Sequence, residues 1–175
     1  HFTVVENQDH LDVINQCQIP LIFLNTVKTS LAELSYLHGE LRDGIFGFNG
    51  MPGFFDRPFL EVTSRNESRE LAEQLTRFNF EYHLVADRVG MVTPRVICMI
   101  INEAFYTFQE GTAGKEDIDL GMKLGTNYPY GPFEWLEIIG IREVYELLEA
   151  LYDDTKDPRY KICPLLKRDY LMDDH

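Results

Sequence analysis

The sequence predicts an α/β layer over residues 1–86 followed by an all-helical domain over residues 87–175, and three observations carry that prediction. In the first half, short apolar runs alternate with amphipathic segments, the way strands and helices alternate around a mainly parallel sheet. From Thr93 onward the only periodicity is helical, with apolar residues recurring three and four positions apart. The change falls near Asp87, and no internal repeat or low-complexity segment crosses it.

Each element has a local reason. Phe2 to Val5 reads as a first strand and DHLDVINQC as the helix after it. PLIFL is a second strand, SLAELSYL a helix, and IFGF and PFLEV two further strands. Ser64 and Glu67 have the spacing of a capping box, in which each side chain satisfies an N–H at the helix start; they open a helix to about Phe78. Tyr82 to Val85 is a last strand. In the second half Thr93 is placed to cap a helix with Pro94 at its first position, where a missing N–H costs nothing. Val96 to Phe108 is apolar almost all round, and a helix without a polar stripe must be covered on every side. A small helical domain cannot supply that cover, so the 93–110 helix is expected at a homodimer interface. Three more helices are expected: Lys115 to Leu124 stopped by Gly125, Pro132 to Ile139 stopped by Gly140, and Arg142 to about Tyr152.

Composition excludes some function classes. With 175 residues, 45% of them hydrophobic, the chain can bury one sizeable core or two small ones. A net charge of -13 repels phosphate backbones and anionic headgroups, so neither nucleic acid nor a membrane surface is an expected partner. No window approaches about eighteen uninterrupted apolar residues, and the N-terminus lacks a signal-peptide pattern; a cytoplasmic protein is expected. Cys17, Cys98 and Cys163 have neither CxxC spacing nor paired histidines, so buried reduced thiols are expected and no metal site.

Three strings stand out. In GKEDIDLGMKLGTNYPYGPFEWLEIIG, Gly114 to Gly140, Pro129 prevents one helix from continuing and Gly131-Pro132 start the next. Physics alone reads a helix-turn-helix corner there. GFNGMPGFFDRPFLEV, Gly47 to Val62, joins two strands through a glycine-bearing loop, and NTVKTSL, Asn25 to Leu31, joins a strand to a helix. Gly47, Gly50 and Gly53 form a GxxGxxG that follows a late strand and leads to another strand, so it reads as a flexible turn and not as a phosphate loop.

On these strings the chain resembles the 3-hydroxyacyl-CoA dehydrogenase family, over about the last five-sixths of its length. The resemblance implies a truncated Rossmann-like sheet, the tail of a nucleotide-binding domain, followed by the helical C-terminal domain. It implies NAD-linked oxidation of a 3-hydroxyacyl-CoA in fatty-acid or 3-hydroxybutyryl-CoA metabolism. Counted back from Leu60-Glu61-Val62, Glu61 falls on the family's catalytic Glu and Asn49 on its His; Pro94 falls on its catalytic Asn. Thr29 or Ser30 takes the place of a substrate-contacting hydroxyl.

The substitutions bear on the chemistry. Taking a hydride from a 3-hydroxyl carbon needs a base on the O–H, and a His oriented by a carboxylate suits that task near neutral pH. Asn49 has no protonation change to offer, and Pro94 has no amide to hold a carbonyl. Glu61 reads either as an ordinary structural or solvated Glu or as a remnant of the site. His38, after SLAELSYL, is the one histidine considered as a substitute base; His83 reads as a packed or surface residue. No GxGxxG follows the first strand, so no cofactor is expected to be retained by this chain alone, and NAD is expected for the complete family enzyme, supplied with a separate NAD-binding portion. Two readings stand: a C-terminal portion or split subunit of a 3-hydroxyacyl-CoA dehydrogenase, or a non-catalytic relative that binds acyl-CoA or serves as a dimerisation module.

Overall fold

The computed structural model describes residues 2–3, 13–14, 16, 18–19, 21–55, 57, 59–65, 75 and 81–173. The chain divides into two compact units, 1–92 and 93–175.

In the first unit five strands lie side by side in chain order: β1 (Phe2–Thr3), β2 (Ile22–Asn25), β3 (Ile45–Phe48), β4 (Phe59–Thr63) and β5 (Glu81–Leu84). Neighbours are parallel except β3 and β4, which run antiparallel with Gly47 opposite Thr63 and Phe48 opposite Val62. The α/β class is as the sequence predicts, and the antiparallel step is its variation. The connection between β3 and β4 is shorter than the dozen or so residues a parallel crossover requires, so the chain returns beside itself.

Alternation along the strands sorts the side chains into two layers. One helix, α1 (Leu31–His38), brings Leu31 and Leu34 against Ile22, Leu24, Leu41 and Ile45 on one face. Phe23, Phe46, Phe48, Leu60, Val62 and Leu75 fill the other. Leu75 is the described part of the helix expected from Ser64 to Phe78; the rest of that helix, most of DHLDVINQC and Cys17 lie outside the described residues.

The second unit is helical: α2 (Thr93–Gln109), α3 (Lys115–Thr126), α4 (Pro132–Ile139), α5 (Ile141–Thr155), a 3-10 turn at Pro158–Tyr160, and α6 (Pro164–Met172). Two expectations need correction, the stop of α3 and the lack of a last helix. Gly125 does not stop α3, which runs on to Thr126; the left-handed residue is Asn127, at φ 55°, whose N–H returns to the Lys123 carbonyl at 3.0 Å. α2 is not covered on every side within the chain. Ile97, Cys98, Ile101, Ala104 and Phe105 are buried, whereas Val96 is 45% exposed and Met99 and Ile100 are half-buried. Finally, α6 was not expected at all. It is tied down by α2, where the Asn102 amide donates to the Lys161 carbonyl and accepts from Cys163 N–H, both at 2.9 Å, and Gln109 accepts from Leu165 N–H at 3.0 Å. Cys98 and Cys163 are buried thiols. No helix among the described residues is long and apolar enough to cross a membrane.

Candidate functional site

The β3 to β4 connection builds the candidate site of the first unit. Extending the antiparallel register by one step sets Asn49 opposite Glu61, and the Asn49 N–H donates to the Glu61 carbonyl at 3.0 Å. Residues opposed in this way share a face, with Cβ atoms roughly 4.5–5.5 Å apart. The structure therefore brings together the two first-unit positions that sequence matching places at the family's His and Glu. Both are inside the protein, at 3% and 5% exposure.

Neither side chain is loose. The Asn49 carbonyl oxygen accepts from Met51 N–H at 3.2 Å, which fixes the amide. One Glu61 oxygen accepts from Val92 N–H at 3.3 Å. Arg57 is the basic partner on the same connection. Its guanidinium lies 4.6 Å from the centre of the Phe54 ring, a cation–π contact. Burial pushes the Arg57 pKa down from the usual guanidinium value, and the Glu61 carboxylate acts in the opposite direction.

The same face carries a small polar layer. Gly47 is not a turn residue but the middle of β3, and a Cβ there would stand 2.2 Å from Thr26 Oγ1 and 2.5 Å from Thr63 Cγ2. The glycine is required by this close approach. Gly50 is positioned by Asn25, whose side-chain oxygen accepts its N–H at 3.1 Å.

Thr29 and Ser30 lie at the opening of α1. Ser30 is its N-cap and accepts from Glu33 N–H at 3.0 Å, while the Thr29 hydroxyl donates to the Glu33 carboxylate at 2.9 Å. Asp87 completes this end by accepting from Leu31 and Ala32 N–H at 2.8 and 2.9 Å. A carboxylate thus already sits where the helix dipole favours negative charge. His38 is the last residue of α1 rather than a loop residue, so it is set at the far end of that helix. His83 pairs in register with Glu61 on β5, is exposed, and contacts Phe59 edge-on at 4.9 Å.

Sequence reasoning missed Arg57 and Asp87. Arg57 stands four residues before Glu61, the even spacing that puts two extended residues on one side of a chain; that was its only signal. Asp87 had none, because it caps a helix that begins 56 residues earlier.

In the second unit Pro94 is buried in the first turn of α2 and presents no polar side-chain atom. The corner of the Gly114 to Gly140 string is built around Asp119. Its two oxygens accept from Phe133 and Glu134 N–H at 2.8 and 3.2 Å, capping α4 from α3. Glu134 accepts from Gly131 N–H at 2.8 Å and pairs with Lys123. Among the described residues no cluster of His, Cys, Asp or Glu could hold a metal ion.

Comparison with known proteins shows what the two units resemble. Residues 90–173 match the model of the 3-hydroxyacyl-CoA dehydrogenase C-terminal domain. The 3-hydroxyadipyl-CoA dehydrogenase of Escherichia coli K12 is 43% identical over 89 residues, 51% of this chain and 19% of that protein. The 3-hydroxybutyryl-CoA dehydrogenase of Clostridioides difficile is 38% identical over 84 residues, 48% of this chain and 30% of that protein. The crystal structure of (S)-3-hydroxybutyryl-CoA dehydrogenase from Ralstonia eutropha superposes with a TM-score of 0.80 at 26% identity, covering 98% of this chain and 65% of that one. The chain thus spans less than a third of the two curated relatives and under two thirds of the solved one.

Proposed function

We propose that this chain is the C-terminal portion of a 3-hydroxyacyl-CoA dehydrogenase-type protein of fatty-acid or 3-hydroxybutyryl-CoA metabolism, acting in the cytoplasm with NAD held by a separate NAD-binding portion. The observation that carries this reading is the family match of residues 90–173. The acyl-CoA ligand would lie at the β3 to β4 connection, where Glu61 and Asn49 face each other. Thr29 and Ser30 supply hydroxyls at the end of β2, where ligands of open α/β sheets gather. Pro94 offers no group to a substrate carbonyl. The exposed Val96 and half-buried Met99 and Ile100 support a homodimer through residues 93–110. A monodisperse monomer in light scattering at micromolar concentration would remove that support, and Ile100→Asp is expected to give monomer or aggregate.

A second reading, a non-catalytic acyl-CoA-binding or dimerisation relative, is favoured by one observation. Asn49 is locked by Met51 N–H at the place where proton abstraction needs a base. The two readings part in one experiment: titration of the chain with acetoacetyl-CoA and with NADH, then NADH formation from NAD and 3-hydroxybutyryl-CoA. Acyl-CoA binding, no NADH saturation below a millimolar, and turnover once an NAD-binding portion is added support the dehydrogenase. Acyl-CoA binding with no turnover in any combination leaves the second reading. No acyl-CoA binding overturns both ligand assignments.

A further inference from the structure

Asn25 is the half-buried last residue of β2, and hydrogen bonds lead from its side chain to both Asn49 and Glu61. Its side-chain oxygen accepts from Val27 N–H at 3.4 Å, a turn closed two residues along its own chain, and this sets the direction of the amide. The same oxygen accepts from Gly50 N–H, 25 residues away, at 3.1 Å. One acceptor serves two connections.

The first arm runs to Asn49. Gly50 lies so close on the Asn25 side chain that a Cβ there would stand 2.9 Å from Asn25 Cγ and 3.1 Å from its Cβ. The next N–H along, that of Met51, goes to the Asn49 side-chain oxygen at 3.2 Å. Asn25 therefore fixes the backbone of the turn, and the turn fixes the Asn49 amide. The second arm runs to Glu61. Val27, whose N–H is held by Asn25, accepts at its carbonyl from Gly90 N–H at 2.7 Å. Two residues on, Val92 N–H donates to the Glu61 carboxylate at 3.3 Å. Between them Met91 is buried at φ 43°, a left-handed conformation that persists only where the surroundings hold it. The aim of the Val92 N–H thus depends on where Val27 pins Gly90.

We infer that Asn25 is the positioning residue of this site, setting Asn49 and Glu61 against each other through a single side-chain oxygen. It acts through the two turns, one at Gly50 and one at Val27. The inference rests on the acyl-CoA reading above for its ligand, and on the hydrogen bonds alone for its mechanics.

The test compares the full chain with Asn25→Ala, which removes the oxygen, and with Asn25→Asp, which keeps an acceptor of the same reach and guards against a variant that merely fails to fold. Amide hydrogen exchange reads the two arms, and titration with acetoacetyl-CoA and with free CoA reads the site. In Asn25→Ala, exchange at Gly50, Met51 and Val92 should quicken about tenfold, the worth of one lost hydrogen bond. Acetoacetyl-CoA affinity should fall by about the same factor while free CoA affinity holds. Asn25→Asp should restore both. Faster exchange at Gly50 with Val92 unmoved, or an Asn25→Ala chain that holds acetoacetyl-CoA as tightly as the unmutated one, would overturn the assignment. So would a folded Asn25→Asp chain that behaves like Asn25→Ala. Failure of the unmutated chain to bind any CoA compound would overturn the acyl-CoA reading instead, and the exchange rates would still decide whether Asn25 positions the pair.

Discussion

The two units treat their key carboxylates differently. In the helical unit Asp119 and Glu134 accept from three N–H groups at one helix start, with Glu134 also paired to Lys123, and Asp119 leaves no space for a side chain at Gly131. In the α/β unit the Glu61 carboxylate accepts from Val92 N–H, and the residue sits opposite Asn49 across the strand pair. The fold of the sheet is indifferent to whether the residue opposite is Asn or His, since that pairing runs through the main chain. Residues that close backbone hydrogen bonds are fixed by folding; residues that only face one another are free to change with chemistry. The family match of residues 90–173 falls on the unit whose carboxylates close backbone hydrogen bonds.

The contrast predicts a ranking of substitutions. Gly131→Ala should be the most damaging, because its Cβ would sit 2.4 Å from the Asp119 Cβ and Oδ1 and 2.5 Å from its Cα, so main chain must move and the α4 cap is lost. A loss of roughly 3 kcal/mol in urea unfolding is expected; a loss below about 1 kcal/mol would show the corner to be pliable. Gly47→Ala makes the equivalent intrusion in the first unit. The atoms it meets there belong to the side chains of Thr26 and Thr63, which can turn, so the cost should be smaller, roughly 1–2 kcal/mol. A larger effect at Gly47 than at Gly131 would reverse the comparison. Asp87→Ala removes the acceptor of two N–H groups at the start of α1 and should cost about 1 kcal/mol, as lost helix caps usually do.

The smallest effect is a pH dependence. The hydrogen bond from Lys123, helped by Gly131 N–H, holds the Glu134 carboxyl below its ordinary value of 4.5. Because the folded pKa is the lower one, the stability contributed is present above the unfolded value and is lost as pH falls through the folded value. Urea midpoints of the unmutated chain and Glu134→Gln are therefore expected to differ near neutrality and to converge on acidification below 4.5. Midpoints that stay parallel through that range would assign Glu134 no role in the corner's electrostatics.

The sequence by itself determined the α/β-then-helical order, because period-two and period-3.6 apolar patterns report which faces are buried, and both patterns are strong here. The resemblance put Asn49 and Glu61 on two of the family's catalytic positions, and the antiparallel register that sets them opposite each other came only with the fold. Nor did the sequence determine the tertiary pairings that close the molecule. Asp87 caps a helix 56 residues away, and Asn102 and Gln109 hold a last helix whose own pattern is weak. Each of these depends on a polar group finding a partner distant in sequence or across irregular backbone, and no local periodicity records such a meeting. Only the folded chain, where every buried N–H and charge must be satisfied at once, decides it.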